Sequence, residues 1–194
     1  GFVGVLDGRL HEWTYSDARS EADRRRGPAF EQESAGGWAG FTDKYWLAAL
    51  TPEDQATRIR TAYRHIRDGG SDRWQVDMST PAAQTVAAGA EAGLNTRLFA
   101  GAKEVNLLDA YVARYGIYDF DKAIDFGWFY FLTKPFFHVL HFLGTTFGNF
   151  GVAILVFTLL LKILFFPLAN KAYKSMARMK IMAPKMTEIR DRYK

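Results

Sequence analysis

Between Phe150 and Ala169 the chain runs FGVAILVFTLLLKILFFPLA, 20 residues in which Lys162 carries the single charge. As a helix rising about 1.5 Å per residue, this run is ~30 Å long and matches the hydrocarbon core of a bilayer. A helix buried in a soluble core satisfies the same length, so the flanks must decide. Residues 1–147 carry 16 Lys+Arg against 19 Asp+Glu, net −3, whereas residues 170–194 carry 8 against 2, net +6. Positive charge collects in short cytoplasmic flanks. Lys171, Lys174, Arg178, Lys180 and Lys185 therefore predict a cytoplasmic basic face after the span, with residues 1–147 in the periplasm or another exterior space.

An ammonium inside the span needs a reason. Thr158 lies four residues before Lys162 on the same helix face, and the two make a short polar stripe on an apolar rod. Exposed to lipid the stripe is costly, which predicts that it faces other helices or water. The competing account is snorkelling: Lys162 sits about 10 Å from the end of the run at Ala169, and its stem reaches toward the headgroups. Spacing alone leaves both accounts open.

The outer region reads as β-rich. Ile59, Thr61, Tyr63 and His65 alternate with polar or small residues, as do Trp74, Val76 and Met78, the period-two signature of half-buried strands. GGWAGFTDKYWLAAL (36–50) and TRLFAG (96–101) are two further strand candidates, with turn signals at Thr51-Pro52, Asp68-Gly69-Gly70 and Thr80-Pro81. Together they predict part of an antiparallel sandwich. Residues 16–37 are charged and poor in apolar side chains, so they are expected to be an exposed loop, and Arg24-Arg25-Arg26, diluted by acidic neighbours, makes no basic stripe for nucleic acid. The chain has no cysteine, so it needs a packed core rather than disulfides. It opens at a glycine without a basic, apolar leader and is expected to be a fragment of a longer protein.

Ahead of the span, residues 126–142 hold eight aromatic side chains. Rings of mixed polarity favour the headgroup boundary, and Pro135 near a helix start would let the segment turn along the surface. Trp128, Phe129, Tyr130, Phe136 and Phe137 are the expected membrane-interface residues; a core helix of the outer region is the other reading. His138 and His141 share a face without a third metal ligand nearby. After the span, Met176, Met179, Met182 and Met186 stand among basic residues, as in a helix that rests on anionic lipid or an adaptable partner, or in an ordinary helical hairpin. Pro184 is expected to interrupt or kink that helix. The sequence contains no Walker loop, HExxH, GxSxG or Gly-rich dinucleotide turn, so no catalytic residue, metal or cofactor is expected and the protein is read as a non-enzyme.

GGWAGFTDKYWLAALTP (36–52) and FGWFYFLTKPFFHVLHFLGTTFGNFGVAILVFTLLLKILFFPLANKAYKSMARMKIMAPKMTEIRDRY (126–193) resemble the proteobacterial YidC insertases of the YidC/Oxa/Alb3 family. The resemblance covers roughly residues 36–193 and is loose before residue 36. It implies a membrane protein: a periplasmic β-super-sandwich part (1–124), an amphipathic interfacial helix (125–147), a transmembrane helix (148–169) and a basic cytoplasmic helix that starts a hairpin (170–194). It also implies a hydrophilic, positively charged groove, usually marked by arginine, whose matching position here is Lys162. Lysine keeps the charge but lacks the five-donor fork of arginine. The implied partners are nascent membrane-protein substrates, the bilayer and Sec translocon components, with ribosome and targeting machinery reached through other regions and no nucleic acid bound by this stretch. The implied function is insertion and folding of nascent inner-membrane proteins. The alternative is a single-pass, membrane-anchored periplasmic ligand-binding or sensor protein.

Overall fold

The computed structural model describes the backbone of residues 1–127 and 129–192, with side chains up to Met179 and that of Met182. Two compact units follow one another, Gly1–Asp125 and Phe126–Lys194.

The first unit contains two antiparallel sheets. One has the order β2-β1-β4-β5-β8, from β1 (Phe2–Leu6), β2 (Arg9–Trp13), β4 (Trp38–Thr42), β5 (Trp46–Pro52) and β8 (Thr96–Ala102). The other has the order β3-β6-β7, from β3 (Phe30–Ala35), β6 (Arg58–Asp68) and β7 (Ser71–Ser79). The alternation in β6 turns Ile59, Thr61 and Tyr63 inward, and the cross-strand pairs Tyr63 with Val76 and His65 with Trp74 extend that inner layer. Gly69 and Gly70, at φ 56° and 85°, close the β6–β7 hairpin between the paired ends Asp68 and Ser71. A two-residue turn that follows strand twist needs positive φ at both positions, which glycine adopts without Cβ strain.

β1 divides its side chains between two cores. Val3 and Val5 pack with Trp38, Leu47, Ala49, Leu108 and Phe120, while Phe2 turns the other way onto Ala39 and Tyr63. The first core is closed by α2 (Val105–Tyr115) and a 3-10 turn at Phe120–Ala123. Trp38 is fully buried there, meets the Phe120 ring edge-on at 5.2 Å and donates from Nε1 to the Tyr118 carbonyl at 3.1 Å. Burying such a ring stabilises by about 1.5–3 kcal/mol, and its polar end is satisfied. The second core stacks Phe2 on Tyr63 at 4.8 Å and is capped by α1 (Tyr15–Arg25) through Ala18 and Ala22.

Several expectations are corrected. Residues 16–37 are not a loop: they hold most of α1, all of β3 and the approach to β4. The face that α1 turns to the core is alanine at 18 and 22, which leaves no strong apolar stripe in the sequence, and its start is fixed by Thr14, whose Oγ1 accepts from the Asp17 N–H. Of the three arginines, Arg24 and Arg25 pair with Glu21 one turn back. Residues 36–50 are not one strand but the β4–β5 hairpin, and Thr51-Pro52 end β5 buried instead of forming a turn.

The second unit is helical, with α3 (Tyr130–Phe147) and α4 (Phe150–Arg192). α3 begins five residues before Pro135, so the proline lies inside the helix. α4 passes through Pro167 and Pro184 as one continuous helix, so of the interruption or kink expected at Pro184 the interruption does not occur. Proline removes one i to i−4 hydrogen bond, but Ala, Lys and Met around residue 184 are strong helix formers that carry the turn across. α4 is long and apolar enough to cross a membrane over Phe150–Met179, with a mean hydropathy of 2.6 in its most apolar window.

Candidate functional site: a polar stripe on the spanning helix

The junction between α3 and α4 determines which side of α4 carries Lys162. Gly148 ends α3 at φ 64°, and Asn149 caps α4 by accepting at Oδ1 from the Gly151 and Val152 N–H groups at 2.8 and 3.3 Å. The helices then fold back on each other. Gly144 is buried, and a Cβ there would stand 2.9 Å from the Phe150 ring. Ala153 is fully buried, and Phe157 meets Phe136 edge-on at 5.4 Å. Val156, Phe157 and Leu161 are half-buried, so Ala153, Val156, Phe157 and Leu161 form the seam against α3.

At about 100° per residue, Thr158 lies ~140° and Lys162 ~180° around the helix from Ala153. Both are exposed, on the face turned away from α3. The Thr158 hydroxyl donates to the Ile154 carbonyl at 2.7 Å, which satisfies its proton and leaves its oxygen free to accept. Among the described residues, none holds the Lys162 ammonium in a hydrogen bond or ion pair. Around the pair stand exposed Ile154, Leu155, Leu159, Ile163 and Phe165. The arrangement is thus one positive charge and one hydroxyl acceptor set in an apolar helix surface.

The aromatic residues ahead of the span separate in space. Phe129 is exposed, whereas Tyr130, Phe136 and Phe137 are half-buried, Phe136 on Phe157 and Phe137 stacked on His141 at 5.9 Å. Trp128 lies outside the described residues. The ring-bearing positions most exposed on α3 are Phe131 and Phe142, which the sequence reading left out; with Leu132, Pro135 and Val139 they follow an i, i+3, i+4 pattern that a helical projection of 130–147 brings out. Farther along α4, Lys171, Lys174 and Arg178 are exposed at i, i+3, i+7 and share one face; the side chains of Lys180 and Lys185 lie outside the described residues. Among the described residues there is no group of three or more His, Asp or Glu able to hold a metal ion.

A family model described as the YidC periplasmic domain matches residues 1–139, and one described as the 60Kd inner membrane protein matches residues 142–194. The chain belongs to the YidC family. The YidC periplasmic model begins at residue 1, so β1, β2 and α1 are part of that domain although the sequence resemblance was loose there. Among curated relatives, the membrane protein insertase YidC of Granulibacter bethesdensis is 53% identical over 194 residues, all of this chain and 33% of the relative. Those of Acidiphilium cryptum and Agrobacterium fabrum are 46% and 47% identical, again over the whole chain and over 33% and 31% of the relatives. The chain spans about a third of the length of these YidC relatives. The YidC architecture here is a β-rich periplasmic domain of antiparallel sheets followed by helices, one of them long and apolar.

Proposed function

We propose that this chain is part of a membrane protein insertase, in which Lys162 and Thr158 mark a hydrophilic groove that receives polar parts of a nascent protein. The reading rests on one observation: the only charge of the spanning run, with a hydroxyl one turn before it, lies on the face of α4 that α3 leaves free. A charge at the centre of a membrane helix costs about 2.5–3.5 kcal/mol on insertion scales, so its retention calls for a wet or helix-lined surround. In such a cavity the ammonium lowers the cost of moving an acidic tail, while apolar segments of the substrate partition along the exposed leucine and phenylalanine surface. No covalent step is involved. Residues 1–124 would be periplasmic, 125–147 would lie at the outer interface, 148–169 would cross the bilayer and 170–194 would be cytoplasmic, with Phe129, Tyr130, Phe131 and Phe142 at the headgroups. Nascent chains and lipid are the partners this reading requires; Sec components and the ribosome would be met through other parts of the protein.

The test is complementation of a depletion strain by full-length variants at equal abundance, scored by protease accessibility of a substrate's translocated acidic tail. Lys162→Arg is expected to retain insertion, Lys162→Glu to lose it and Lys162→Leu to reduce it. Unimpaired insertion by both the Leu and Glu variants would refute a groove role for this residue and leave snorkelling as its account.

A further inference from the structure

At one end of the five-stranded sheet the β4–β5 hairpin holds two neighbouring aromatic side chains out of the fold, Tyr45 at 64% and Trp46 at 63% exposure. Leu98 and Tyr118 are also exposed, but Leu98 belongs to a separate hollow of about 550 Å³ with Leu107, Tyr111 and Tyr115, and neither has an exposed aromatic neighbour in sequence. The Tyr45–Trp46 pair differs because lysines flank it: the Lys44 ammonium lies 5.2 Å from the Tyr45 ring centre, and Lys103 follows the end of β8 beside it. The backbone beneath is fixed. The Asp43 N–H donates to the Trp46 carbonyl at 3.0 Å, the Lys103 N–H donates to the Tyr45 carbonyl at 2.9 Å, and Lys103 Nζ donates to Thr42 Oγ1 at 3.0 Å. The rings are therefore presented on a rigid tip and not on a loose loop.

We propose that this tip is a membrane-contact surface, with Tyr45 and Trp46 seated in the headgroup layer of the bilayer that α4 crosses. The inference rests on the reading that α4 spans and α3 lies at the outer interface. Lys44, Tyr45 and Lys103 line a cavity of about 460 Å³ together with Ile124 and Asp125. Asp125 is the last residue of the first unit, and only residues 126–129 separate it from α3. The five residue steps from Asp125 to Tyr130 reach at most about 18 Å, so the tip belongs to the part of the first unit's surface from which the chain leaves toward α3. On the other side of the hairpin, Tyr15, Phe41, Trp46 and Ala48 line an apolar hollow of about 420 Å³. An aromatic ring with a polar tip, an apolar hollow and lysine stems fit a layer that is apolar below and wet above. Charge is secondary here, because Asp43, Asp125 and Glu12 all act on Lys103 and offset the two lysines. Ring burial, which salt does not screen, is the main attraction.

The test uses the full-length protein in phosphatidylethanolamine and phosphatidylglycerol liposomes, freed of its other cysteines; this chain contributes none. Nitroxides are placed by Tyr45→Cys, Tyr118→Cys and Phe131→Cys, and relaxation by oxygen, which concentrates in lipid, is compared with relaxation by a water-soluble nickel chelate. At position 45 the oxygen-to-nickel ratio is expected to exceed that at position 118 severalfold and to persist at high salt. A ratio at 45 equal to that at 118, with position 131 in lipid, would overturn the contact and leave the α3 reading intact. Poor access of both relaxants to position 45 would mean a protein cover, from a second copy or another segment, and would equally overturn it. A loss of the ratio at high salt would overturn seating by the rings. A nickel-dominated signal at 131 would remove the α3 reading, and this inference with it.

Discussion

Lys162 was legible as a single charge in 20 apolar residues, because the cost of an ammonium in hydrocarbon makes its presence informative without a neighbour. Which way it faces was not legible, since that depends on Ala153 and Phe157 meeting α3 across the Gly144 contact. Phe131 and Phe142 escaped for a related reason: in a segment with eight aromatics, composition does not say which rings pack inward. Close backbone approach is likewise invisible to hydropathy. Gly40 reads as a weak point in a strand, yet a Cβ there would stand 2.0 Å from the Ala48 carbonyl oxygen and 2.6 Å from Ala49 Cα on the paired strand β5. These are backbone atoms held in register, so neither can move aside as a side chain would. Gly40→Ala is expected to destabilise the first unit by about 1–3 kcal/mol, as overpacking does. Gly93→Ala, with nothing within 4 Å of its Cβ, is the control and should stay within about 0.5 kcal/mol of the parent. Denaturant unfolding measures both, and equal midpoints would mean that the β4–β5 spacing is looser than described.

At the scale of elements, strands covered on one face announced themselves and elements covered on both did not. β6 and β7 alternate because one face meets the other sheet, whereas all five residues of β1 are buried and FVGVL reads only as a short apolar run. α1 was hidden by its polarity: its two core residues are alanines, and one ion pair, from Arg19, ties it to β7. Arg19 pairs with Asp72 on β7, and Asp72 also accepts from His65 Nε2 at 2.7 Å, with the His65 side chain 3% exposed and its ring tilted against Trp74 at 4.6 Å. The His65 hydrogen bond, with Arg19 beside it, holds the Asp72 carboxyl below its usual value of 3.8. A carboxyl depressed in the folded state adds stability that is fully present above its unfolded value and is lost as pH falls through the folded one. Lowering pH from neutral toward 3 should therefore reduce amide protection factors, taken relative to the intrinsic exchange rate at each pH, in residues 15–25 before those of the β4–β5 core. In Asp72→Asn, exchange in α1 should already be faster at neutral pH and should lose this acid-sensitive step. An acid response of α1 unchanged in Asp72→Asn would assign it to other carboxylates.

For the whole molecule, the distribution of charge is the feature that decides orientation. The apolar run divides a chain of net −3 before it from a tail of net +6 after it, and insertion leaves Lys and Arg in short flanks on the cytoplasmic side. A region as long as residues 1–147 is translocated largely regardless of its charge, so by this rule the tail would be the determinant. α4 extends this tail as one helix, so Lys171, Lys174 and Arg178 emerge on a single exposed face, where, at the cytoplasmic surface, anionic lipid would add about 1 kcal/mol per basic residue. Ser71 lies at the β6–β7 hairpin turn, and Arg178 lies near the end of the described side chains of α4. In intact cells, full-length protein with Ser71→Cys is expected to react with an impermeant maleimide, and protein with Arg178→Cys to react only after the inner membrane is opened. Replacing Lys171, Lys174 and Arg178 together by glutamine should lower the fraction of molecules with position 71 outside, because it removes three of the eight basic residues of the tail. Reversed labelling of the two single variants would put the sheets in the cytoplasm and end the insertase reading. An unchanged fraction in the triple variant would shift the orienting role to Lys180, Lys185 and the basic residues beyond them.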